Sequence, residues 1–544
     1  MKKKINIYLP LLIALAIIGG IYLGNHLNSQ APRLGLPSLT APKSNKLSMI
    51  IDLISNAYVD SVATGELVEE AIPTILKKLD PHSTYIPARD MQEVNEEMQG
   101  NFGGIGVQFT IYNDTVQVVD VISGGPSQKL GIQPGDRIVA VNDSLIAGNG
   151  VKNETVMNLL RGEKGTRVNV DIKRKGINDL IAYEITRGDI PIISVDVDYM
   201  INDSTGYVKV SRFAEKTYTE FMKAMTNVDA LGAQQVIIDL RGNPGGYLMA
   251  VVKMVNEFLD EGDLIVYTEG HSQARKTYTA TGKASWADKR IFVLIDEYSA
   301  SASEIFTGAL QDNDKGIIVG RRSFGKGLVQ EQIPFTDGSA LRLTVARYYT
   351  PSGRCIQKPY DEGTEEYYHD LMNRAVHGEL EEADSIQFSD TLRYETKGGR
   401  IVYGGGGIMP DYFVPLDTTG YSDYYSKITQ KALVYHFAFD YTDSHRAELE
   451  QLKTPQEIVN HLKGENVMDQ FISYAATKGV KRSESGLSVS GKIIETQLMA
   501  YIARNAIGDE GFYPIIQQID KTLRKAIELS GENQTLSQLL AVTK

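Results

Sequence analysis

The chain has 544 residues, which is enough for about three or four domains of ~150 residues each. Its hydrophobic fraction of 42% fits globular domains with cores, and its formal net charge of −12 argues against a nucleic-acid-binding protein, because phosphate contacts need clustered lysine and arginine. The single cysteine, Cys355, excludes an intrachain disulfide, and the sequence has neither a His-Glu-x-x-His motif nor a cysteine pair that would indicate a metal site.

The amino terminus is typical of a membrane-directed segment. Three lysines at positions 2–4 precede residues 5–23, an apolar run close to the ~20 residues that a bilayer-spanning helix needs. The positive-inside rule keeps these lysines in the cytoplasm, so residues 1–25 are predicted to form an anchor that leaves the rest of the chain outside it. A cleaved signal peptide is the competing interpretation. Residues 26–45 lack periodicity and are predicted to be a linker.

Two differently patterned regions follow. Residues 46–96 carry apolar residues at helical spacing, such as Met49, Ile50 and Leu53, and are predicted to be a helical segment. Residues 97–188 instead alternate short β-rich runs with turns of Gly, Pro and Asp. This second pattern predicts a small barrel-like β module of ~90 residues.

From residue 189 to 415 the pattern becomes a strand followed by a helix, repeated. Residues 236–240 form an apolar strand-like run before a glycine turn and an apolar helix, and residues 291–295 precede a helix-like run that starts at Ser301. This pattern predicts α/β architecture, in which functional residues lie where strands pass into helices.

Two further segments differ from this pattern. A polar and acidic stretch at about 355–400 is predicted to be an insertion or a mobile loop. Residues 416–544 are predicted to be mainly helical. A capping box at residues 454–457, with proline at the first helical position, marks the start of one of these helices.

Three residues near the middle of the chain suggest a hydrolase. Ser301 lies among small residues after a strand-like run, and Lys326 lies between two glycines, with Gln330 four positions later. A serine hydroxyl needs a base to become a nucleophile, and a desolvated lysine can serve because burial lowers the lysine pKa. Each residue also has an ordinary interpretation: a helix N-cap for Ser301, a solvated loop residue for Lys326 and a solvent-facing strand residue for Gln330.

Two glycine-rich turns and one rival motif complete the candidates. Residues 239–246 (DLRGNPGG) can aim backbone amides at the oxyanion of acyl transfer, although a tight turn alone would also explain the glycines. Residues 103–107 (GGIGV) precede an edge-strand pattern and can accept a peptide carboxylate on their amides. Residues 320–326 (GRRSFGK) fit the start of a phosphate-binding P-loop, but Gly327 stands where Ser or Thr must hold Mg²⁺, which disfavours nucleotide hydrolysis.

Together these residues resemble the carboxyl-terminal processing peptidases, also called tail-specific serine proteases. The resemblance covers most of residues 45–415. Its motifs occur in one order, which makes the set far more specific than any single member. They are 79–83 (LDPHS), the β module at 97–188, 239–246 (DLRGNPGG), 299–305 (SASASEI), 324–330 (FGKGLVQ), 348–354 (YYTPSGR) and 406–411 (GGIMPD).

The resemblance implies a crotonase-like ββα-spiral protease core with an inserted PDZ-like module, N-terminal helices and a helical C-terminal extension. The family's nucleophile, general base, lysine-orienting glutamine and two oxyanion amides map to Ser301, Lys326, Gln330, Gly246 and Ala302. Its PDZ domain is thought to recognise the substrate's C-terminal tail and to gate the protease. The tail carboxylate would be held by a glycine loop with help from an arginine, namely Gly103, Gly104, Ile105, Gly106 and Arg161.

These inferences predict a serine endopeptidase with a Ser-Lys dyad that cleaves proteins near exposed, apolar C-terminal tails, without a cofactor, a metal or a nucleic-acid partner. The predicted anchor places it in a bacterial inner membrane with its catalytic domains facing the periplasm, or exported if the signal is cleaved. The alternative is a non-catalytic PDZ scaffold that binds tails. The resemblance says little about residues 355–400 and 416–544, for which homo-oligomerisation, adaptor binding and substrate corralling are open roles.

Overall fold

The protein is described by a computed structural model, which covers Ala14 and residues 46–386, 390–531 and 534–541. The chain divides into two compact units, residues 1–72 and residues 73–544. Helix α1 (Lys46–Ala57) lies in the first unit, and helix α2 (Thr64–Leu76) begins there. In the second unit, strand β1 (Thr84–Ile86) and helix α3 (Met91–Gln99) precede the β module.

The structure corrects the predicted inner-membrane location. No helix in the described part of the chain is both long enough and apolar enough to cross a membrane. The predicted anchor at residues 1–25 and the linker at 26–45 lie outside the described residues, apart from Ala14. An inner-membrane anchor is therefore not supported, and neither that location nor a membrane partner is retained.

The β module is an antiparallel sheet of short strands with β3 at one edge. A two-stranded ribbon of β2 (Asn101–Gly104) and β9 (Gly188–Pro191) marks where the chain enters and leaves it. The sheet order is β3-β4-β5-β7-β8, with β6 paired to β5. Every second residue of β7 is buried, as expected for a strand with one face on a core. The remaining elements are β3 (Val107–Tyr112), β4 (Thr115–Val121), α4 (Pro126–Leu130), β5 (Arg137–Val141), β6 (Ser144–Leu145), α5 (Asn153–Leu160), β7 (Arg167–Lys173) and β8 (Ile181–Thr186).

The α/β core is built on a six-stranded sheet of order β10-β11-β12-β15-β16-β21, in which only the β10–β11 pair is antiparallel. Strands β12 and β16 are buried at every position, as parallel strands covered on both faces are. The strands and their helices are β10 (Val195–Asn202), β11 (Thr205–Val210), α6 (Thr217–Ala230), β12 (Gln235–Asp239), α7 (Leu248–Asn256), β15 (Arg290–Ile295), α8 (Ala302–Asp312), β16 (Gly316–Gly320) and β21 (Tyr412–Phe413).

A second sheet forms beside this core, with the order β1-β18-β13-β14 and with β17 paired to β18. Its strands are β13 (Leu264–Glu269), β14 (Lys276–Thr279), β17 (Leu328–Pro334) and β18 (Ala340–Tyr349). The register of the β17–β18 pair shifts between Val329 and Gln330. Such an irregularity re-aims the side chains that follow it.

The polar segment expected as an insertion or mobile loop, residues 355–400, contains the defined elements α9 (Thr364–Val376) and β19 (Arg393–Glu395). Strand β19 pairs with β20 (Ile401–Tyr403), which follows the segment. Two side chains of α9, Tyr367 and Arg374, are buried. The Arg374 guanidinium donates to the carbonyl oxygens of Arg322 and Ser323, at 2.7 and 3.1 Å. Helix α9 therefore packs against the segment that leads to Lys326.

The C-terminal region is helical, as predicted, and its helices have two separate roles. Helices α10 to α16 enclose a core of their own. The last two helices instead pack on the main sheet, where Leu523 and Leu529 meet Phe292 and Leu294 of β15. These helices are α10 (Asp423–Gln430), α11 (Leu433–Ser444), α12 (Arg446–Leu449), α13 (Pro455–Gly464), α14 (Val467–Thr477), α15 (Glu484–Ile507), α16 (Asp509–Ile516), α17 (Lys521–Gly531) and α18 (Leu536–Ala541).

Neighbouring side chains of each strand point to opposite faces of the main sheet, so each face needs a layer of helices to cover it. Val236 and Ile238 of β12 face the core that contains Phe221 and Phe306, whereas Ile237 faces the layer completed by α17 and α18. The α/β multidomain architecture predicted from the sequence is confirmed.

Candidate active site

Ser301 lies in the turn between β15 and α8, in an unusual backbone conformation. Its φ and ψ are 55° and −113°, a region that non-glycine residues rarely adopt. Such strain persists only where surrounding contacts enforce it, and it is commonest at functional sites. The two nearby serines are buried and engaged, since Ser299 Oγ donates to the Leu240 carbonyl at 2.9 Å and Ser303 Oγ to the Asn243 carbonyl at 2.9 Å. Ser301 is the only one of the three serines that is partly exposed.

The buried Asn243 clamps the glycine turn to the Ser301 turn. Its carbonyl accepts the Ala300 amide at 3.0 Å, its side-chain oxygen accepts the Gly245 amide at 2.9 Å, and its side-chain amide donates to the Val210 carbonyl at 3.0 Å. Asn243 thus connects the carboxyl ends of β11, β12 and β15. The distance between the two turns is therefore set by hydrogen bonds rather than by loose packing.

Gly245 and Gly246 have to be glycine here. Their φ values are 100° and 142°, and a β-carbon on Gly245 would lie 2.7 Å from the Ser301 β-carbon. A β-carbon on Gly246 would lie 2.0 Å from the Phe213 carbonyl oxygen. Among the described residues, the amides of Gly246 and Ala302 have no hydrogen-bond acceptor. The glycine turn and the Ser301 turn therefore contain these two open amides, meaning backbone N–H groups without a hydrogen-bond acceptor among the described residues.

Glu304 joins the serine turn to the lysine loop. Its buried carboxylate accepts the Ser301 and Lys326 amides at 2.7 and 2.9 Å through Oε2, and the Gly325 amide and Ser323 hydroxyl at 2.7 and 2.5 Å through Oε1. Burial raises the pKa of Glu304 to about 7, although these four hydrogen bonds oppose the rise.

The Tyr348 hydroxyl makes a second connection between the same two segments. It lies 2.6 Å from the Lys326 carbonyl oxygen and 3.2 Å from the Ser301 carbonyl oxygen. The ring is fully buried in the main core. A hydroxyl held in this way keeps the two backbone segments together and leaves the side chains of Ser301 and Lys326 unoccupied.

Lys326 is partly buried, and its pKa lies below the ordinary value. Burial is the main cause, the charge of Arg342 adds to it, and the carboxylates of Glu304 and Asp80 oppose it. Within the described ranges, the Lys326 amine forms no ion pair and no hydrogen bond, including with Ser301 or Gln330. The structure thus brings the backbones of Ser301 and Lys326 together while their side chains are not hydrogen-bonded.

Gln330 is directed to a partner that the sequence did not indicate. Its side-chain amide donates to the Thr344 hydroxyl at 3.2 Å, across the β17–β18 pair. The Thr344 hydroxyl in turn donates to Asp80 at 3.0 Å. Close by, burial and then the charge of Lys326 lower the pKa of His82 to about 4, so this imidazole is neutral near pH 7.

The glycine loop of the β module has the geometry of an anion site. Gly104, Ile105 and Gly106 are buried, and in the part of the chain covered by the structure the amides of Ile105 and Gly106 donate no hydrogen bond. The carbonyl oxygen of Gly103 accepts a hydrogen bond from the Gly162 amide at 3.1 Å, which brings the turn after α5 against the loop.

Arg161 begins that turn after α5. Its guanidinium pairs with Glu93 of α3 at 3.2 Å and lies 4.7 Å from the centre of the Phe102 ring. The residues predicted to bind a tail carboxylate are therefore grouped in one place, with the arginine held by a carboxylate of the same chain.

Comparison with known proteins identifies the family. Residues 204–366 match the family model described as Peptidase family S41, residues 103–185 match the PDZ domain, and residues 424–508 match a family of unknown function, DUF8443. The carboxy-terminal-processing protease of Bartonella bacilliformis is 36% identical over 313 residues, which are 57% of this chain and 71% of that protein. The carboxy-terminal processing protease CtpB of Bacillus subtilis is 32% identical over 352 residues, which are 62% of this chain and 72% of that protein.

The chain belongs to the carboxy-terminal processing proteases. Carboxy-terminal processing proteases are serine peptidases, so this protein is an enzyme and the alternative of a non-catalytic scaffold is not supported. A solved structure entitled photosystem II D1 C-terminal processing protease is 27% identical and covers 59% of this chain and 92% of that chain, with a TM-score of 0.34.

Several residues of the candidate site in this carboxy-terminal processing protease were not identified from the sequence. They are Asn243, Glu304, Thr344 and Tyr348, each of which acts through a hydrogen bond to another residue of the site. Only Glu304 had a local signal, because Ser-x-x-Glu is the spacing of a capping box. Thr344 and Tyr348 have partners far away in sequence, and Asn243 combines the local partner Gly245 with the distant Val210 and Ala300. No local pattern identifies the distant partners.

Proposed function

We propose that Ser301 is the nucleophile of this carboxy-terminal processing protease and that Lys326 is its general base. The observation that carries the proposal is the bridge through Glu304, whose one carboxylate accepts the backbone amides of both residues. Two loops that end in a serine and a lysine are thereby held together beside the open amides of Gly246 and Ala302. This is the arrangement that acyl transfer to a serine requires.

The chemical steps follow from these positions. Neutral Lys326 takes the proton from Ser301 Oγ as that oxygen attacks the scissile carbonyl, and the amides of Gly246 and Ala302 stabilise the resulting oxyanion, at about 3 kcal/mol each. The protonated amine then gives its proton to the leaving nitrogen. Water activated by the same lysine hydrolyses the acyl-enzyme, and Gln330 orients the amine throughout.

The electrostatics of Lys326 support its role as a base. An exposed lysine is fully protonated at pH 7, whereas burial and the nearby Arg342 lower the pKa of this one. The lack of a hydrogen bond between its amine and the Ser301 hydroxyl is compatible with the proposal, because catalytic hydrogen bonds are often long until substrate binds.

We further propose that residues 97–188 are the tail-binding domain and residues 189–415 the catalytic core, with substrates whose C-terminal tails are exposed and apolar. Strand β3 lies at a sheet edge, where an extended peptide can add as a further strand. The open amides of Ile105 and Gly106 lie at the start of that edge and would accept the terminal carboxylate, with Gly103 and Gly104 shaping the loop. Arg161 would exchange its contact with Glu93 for that carboxylate.

The catalytic proposal is tested by two substitutions with matched controls. Purified Ser301→Ala and Lys326→Ala variants are incubated with an unfolded protein that carries an apolar tail, beside Ser488→Ala and Lys223→Ala, which change exposed residues. Cleavage should fall at least about 10³-fold in the first pair and stay at the wild-type rate in the second. Cleavage by Lys326→Ala at the wild-type rate would exclude lysine as the base.

Tail recognition needs a separate measurement. The same substrate is prepared with a C-terminal carboxamide, which removes the negative charge that the glycine loop would bind. The KM should rise by about tenfold or more while kcat changes little, since a charge-assisted hydrogen bond is worth about 1.5–3 kcal/mol. Equal KM values for the acid and the amide would show that the terminal carboxylate is not recognised.

A further inference from the structure

The motif at residues 79–83 has no part in the mechanism above, yet the structure places it against the site. The Asp80 carboxylate closes a tight turn by accepting the His82 and Ser83 amides, both at 2.8 Å, and the Ser83 hydroxyl at 2.5 Å. Asp80 and Ser83 are buried. Asp80 thus has the geometry of an Asx turn, whose carboxylate is held rigidly by its own backbone.

The same carboxylate also reaches across to the catalytic hairpin. Asp80 Oδ1 accepts the Thr344 hydroxyl at 3.0 Å, and the Thr344 backbone amide donates to the Ser83 hydroxyl at 3.0 Å. Thr344 is therefore attached to the turn by both its side chain and its backbone. Its hydroxyl oxygen then accepts the Gln330 side-chain amide at 3.2 Å.

The direction of these hydrogen bonds follows from the chemistry of the groups. A carboxylate can only accept, so the single proton of the Thr344 hydroxyl has to go to Asp80. The hydroxyl then offers only its lone pairs to Gln330, which must present its NH₂ group. The reverse orientation of the glutamine amide would place its oxygen against the lone pairs of the hydroxyl. The Gln330 carbonyl oxygen consequently points away from Thr344, and an oxygen in that position can only accept.

The backbone contributes to the same arrangement. Gln330 and Thr344 are paired residues of β17 and β18, and the register shift lies immediately before Gln330. The extra residue is Val345 of β18, so the shift places Thr344, rather than Val345, opposite Gln330. Lys326 lies at the start of the same hairpin, because the hydroxyl of Tyr348, four residues after Thr344 in β18, is 2.6 Å from the Lys326 carbonyl oxygen.

We propose that Asp80 and Thr344 are positioning residues that fix the orientation of the Gln330 amide, so that its carbonyl oxygen holds the Lys326 amine for Ser301. This inference rests on the proposed Ser-Lys mechanism. A lysine amine that donates one hydrogen to this oxygen keeps its lone pair directed elsewhere, toward the serine hydroxyl. Without the relay, the glutamine amide is free to turn its NH₂ group toward the lysine, where it offers no acceptor.

The test compares Thr344→Val with Thr344→Ser in the full chain. Valine keeps the shape and strand preference of threonine but has no hydroxyl, whereas serine restores it. Thr344→Val should lower kcat by about tenfold with KM unchanged, and Thr344→Ser should keep kcat within about twofold of wild type. A wild-type kcat in folded Thr344→Val overturns the proposal.

A double-mutant cycle separates positioning from general structural support. Thr344→Val should cause no further loss of kcat in a Gln330→Ala background, because the residue it positions is already absent. Losses that multiply would show that Thr344 acts independently of Gln330 and would overturn the proposal. If Gln330→Ala leaves no measurable rate, the comparison of the valine and serine variants decides alone.

Thr277→Val controls for the exchange of threonine for valine in the same sheet. Thr277 is an exposed residue of β14, which belongs to the sheet that contains β18 but takes no part in the path from Asp80 through Thr344 to Gln330. Its kcat should stay within about twofold of wild type. A loss of kcat in Thr277→Val as large as that in Thr344→Val would assign both effects to the exchange itself and overturn the relay. Full activity of Lys326→Ala would refute the mechanism itself, whereas its inactivity beside a fully active Thr344→Val would refute only the relay.

Discussion

Replacing Glu304 with glutamine tests whether the shared carboxylate assembles the site. Oε2 accepts the amides of Ser301 and Lys326, and Oε1 accepts the amide of Gly325 and the hydroxyl of Ser323. Glutamine has one oxygen and one NH₂ group, so in either orientation its NH₂ faces at least one backbone N–H. The less costly orientation directs the NH₂ toward Ser323, whose hydroxyl can turn to accept it, and leaves the Gly325 amide unpaired.

Two opposing contributions to the free energy of unfolding, similar in size, decide whether the variant folds. One unpaired buried donor costs about 1–3 kcal/mol. Against this, the variant no longer has to bury a charge: the difference between the ordinary pKa of 4.5 and a folded pKa of about 7 corresponds to about 3 kcal/mol. At pH 8 these terms nearly offset, so Glu304→Gln should fold. Its kcat should nevertheless fall about 100-fold, since a displacement on the order of 1 Å between the serine and lysine segments has that effect.

The same carboxyl predicts a pH signature. Because its folded pKa is above its unfolded value, Glu304 contributes stability that is fully present below about pH 4.5 and is lost as the pH rises through about 7. A glutamine side chain does not titrate in this pH range, so its contribution to stability does not change with pH. The unfolding free energy of Glu304→Gln, relative to wild type, should therefore increase by about 3 kcal/mol between pH 4.5 and pH 8.

The assay combines urea unfolding at several pH values with peptidase kinetics at pH 8. Glu331→Gln is the matched control, because Glu331 is an exposed residue of β17 and should show neither effect. A folded Glu304→Gln with kcat within about threefold of wild type would refute the role of the bridge. A stability difference that is constant with pH would refute the raised pKa.

Three further predictions follow from the site and its supports. Gly246→Ala should abolish cleavage and lower the melting temperature, because the new β-carbon would lie 2.0 Å from a backbone carbonyl oxygen; a normal enzyme would contradict this geometry. The His82 ring resonances should stay constant from pH 8 to pH 6 and titrate near pH 4 in an NMR titration. Because the folded pKa lies below the unfolded one, this histidine contributes stability that is present above about pH 6.5 and is lost as the pH falls through about 4. A titration midpoint near 6.5 would contradict the burial of the ring. Arg241→Ala should destabilise the fold by about 3 kcal/mol in urea unfolding, because Arg241 lies 2.6 Å from both the buried Asp239 and Asp520; a loss below about 1 kcal/mol would show that the pair is not needed.

Much of the protease core could be predicted because its signals are local. The strand and helix alternation around Ser301 follows from apolar runs and small residues within about a dozen positions, and the glycines at 245 and 246 follow from a turn that excludes side chains. The capping box at residues 454–457 was likewise confirmed, with the Glu457 carboxylate accepting the Thr454 amide at 3.1 Å. Such features depend on φ, ψ and side-chain direction within a single element, which neighbouring residues specify.

The partners of the functional side chains could not be predicted in this way. Gln330 was expected beside Lys326, but its amide donates to Thr344, whose own partner, Asp80, is 264 positions away in the chain. The bridge through Glu304 likewise joins segments that meet only after the sheet has formed. A hydrogen bond needs two groups within about 3 Å at a suitable angle, and that coincidence depends on how whole elements pack.

The C-terminal helices show the same division at a larger scale. The sequence was enough to predict helices in residues 416–544, but nothing in it indicated that α17 and α18 would cover the second face of the main sheet. A helix buries its apolar side against any complementary surface, and periodicity states only that such a side exists. The surface that it meets is determined only once the strands have paired, because pairing creates the apolar face of the sheet that includes Phe292 and Leu294. That face exists only in the folded chain.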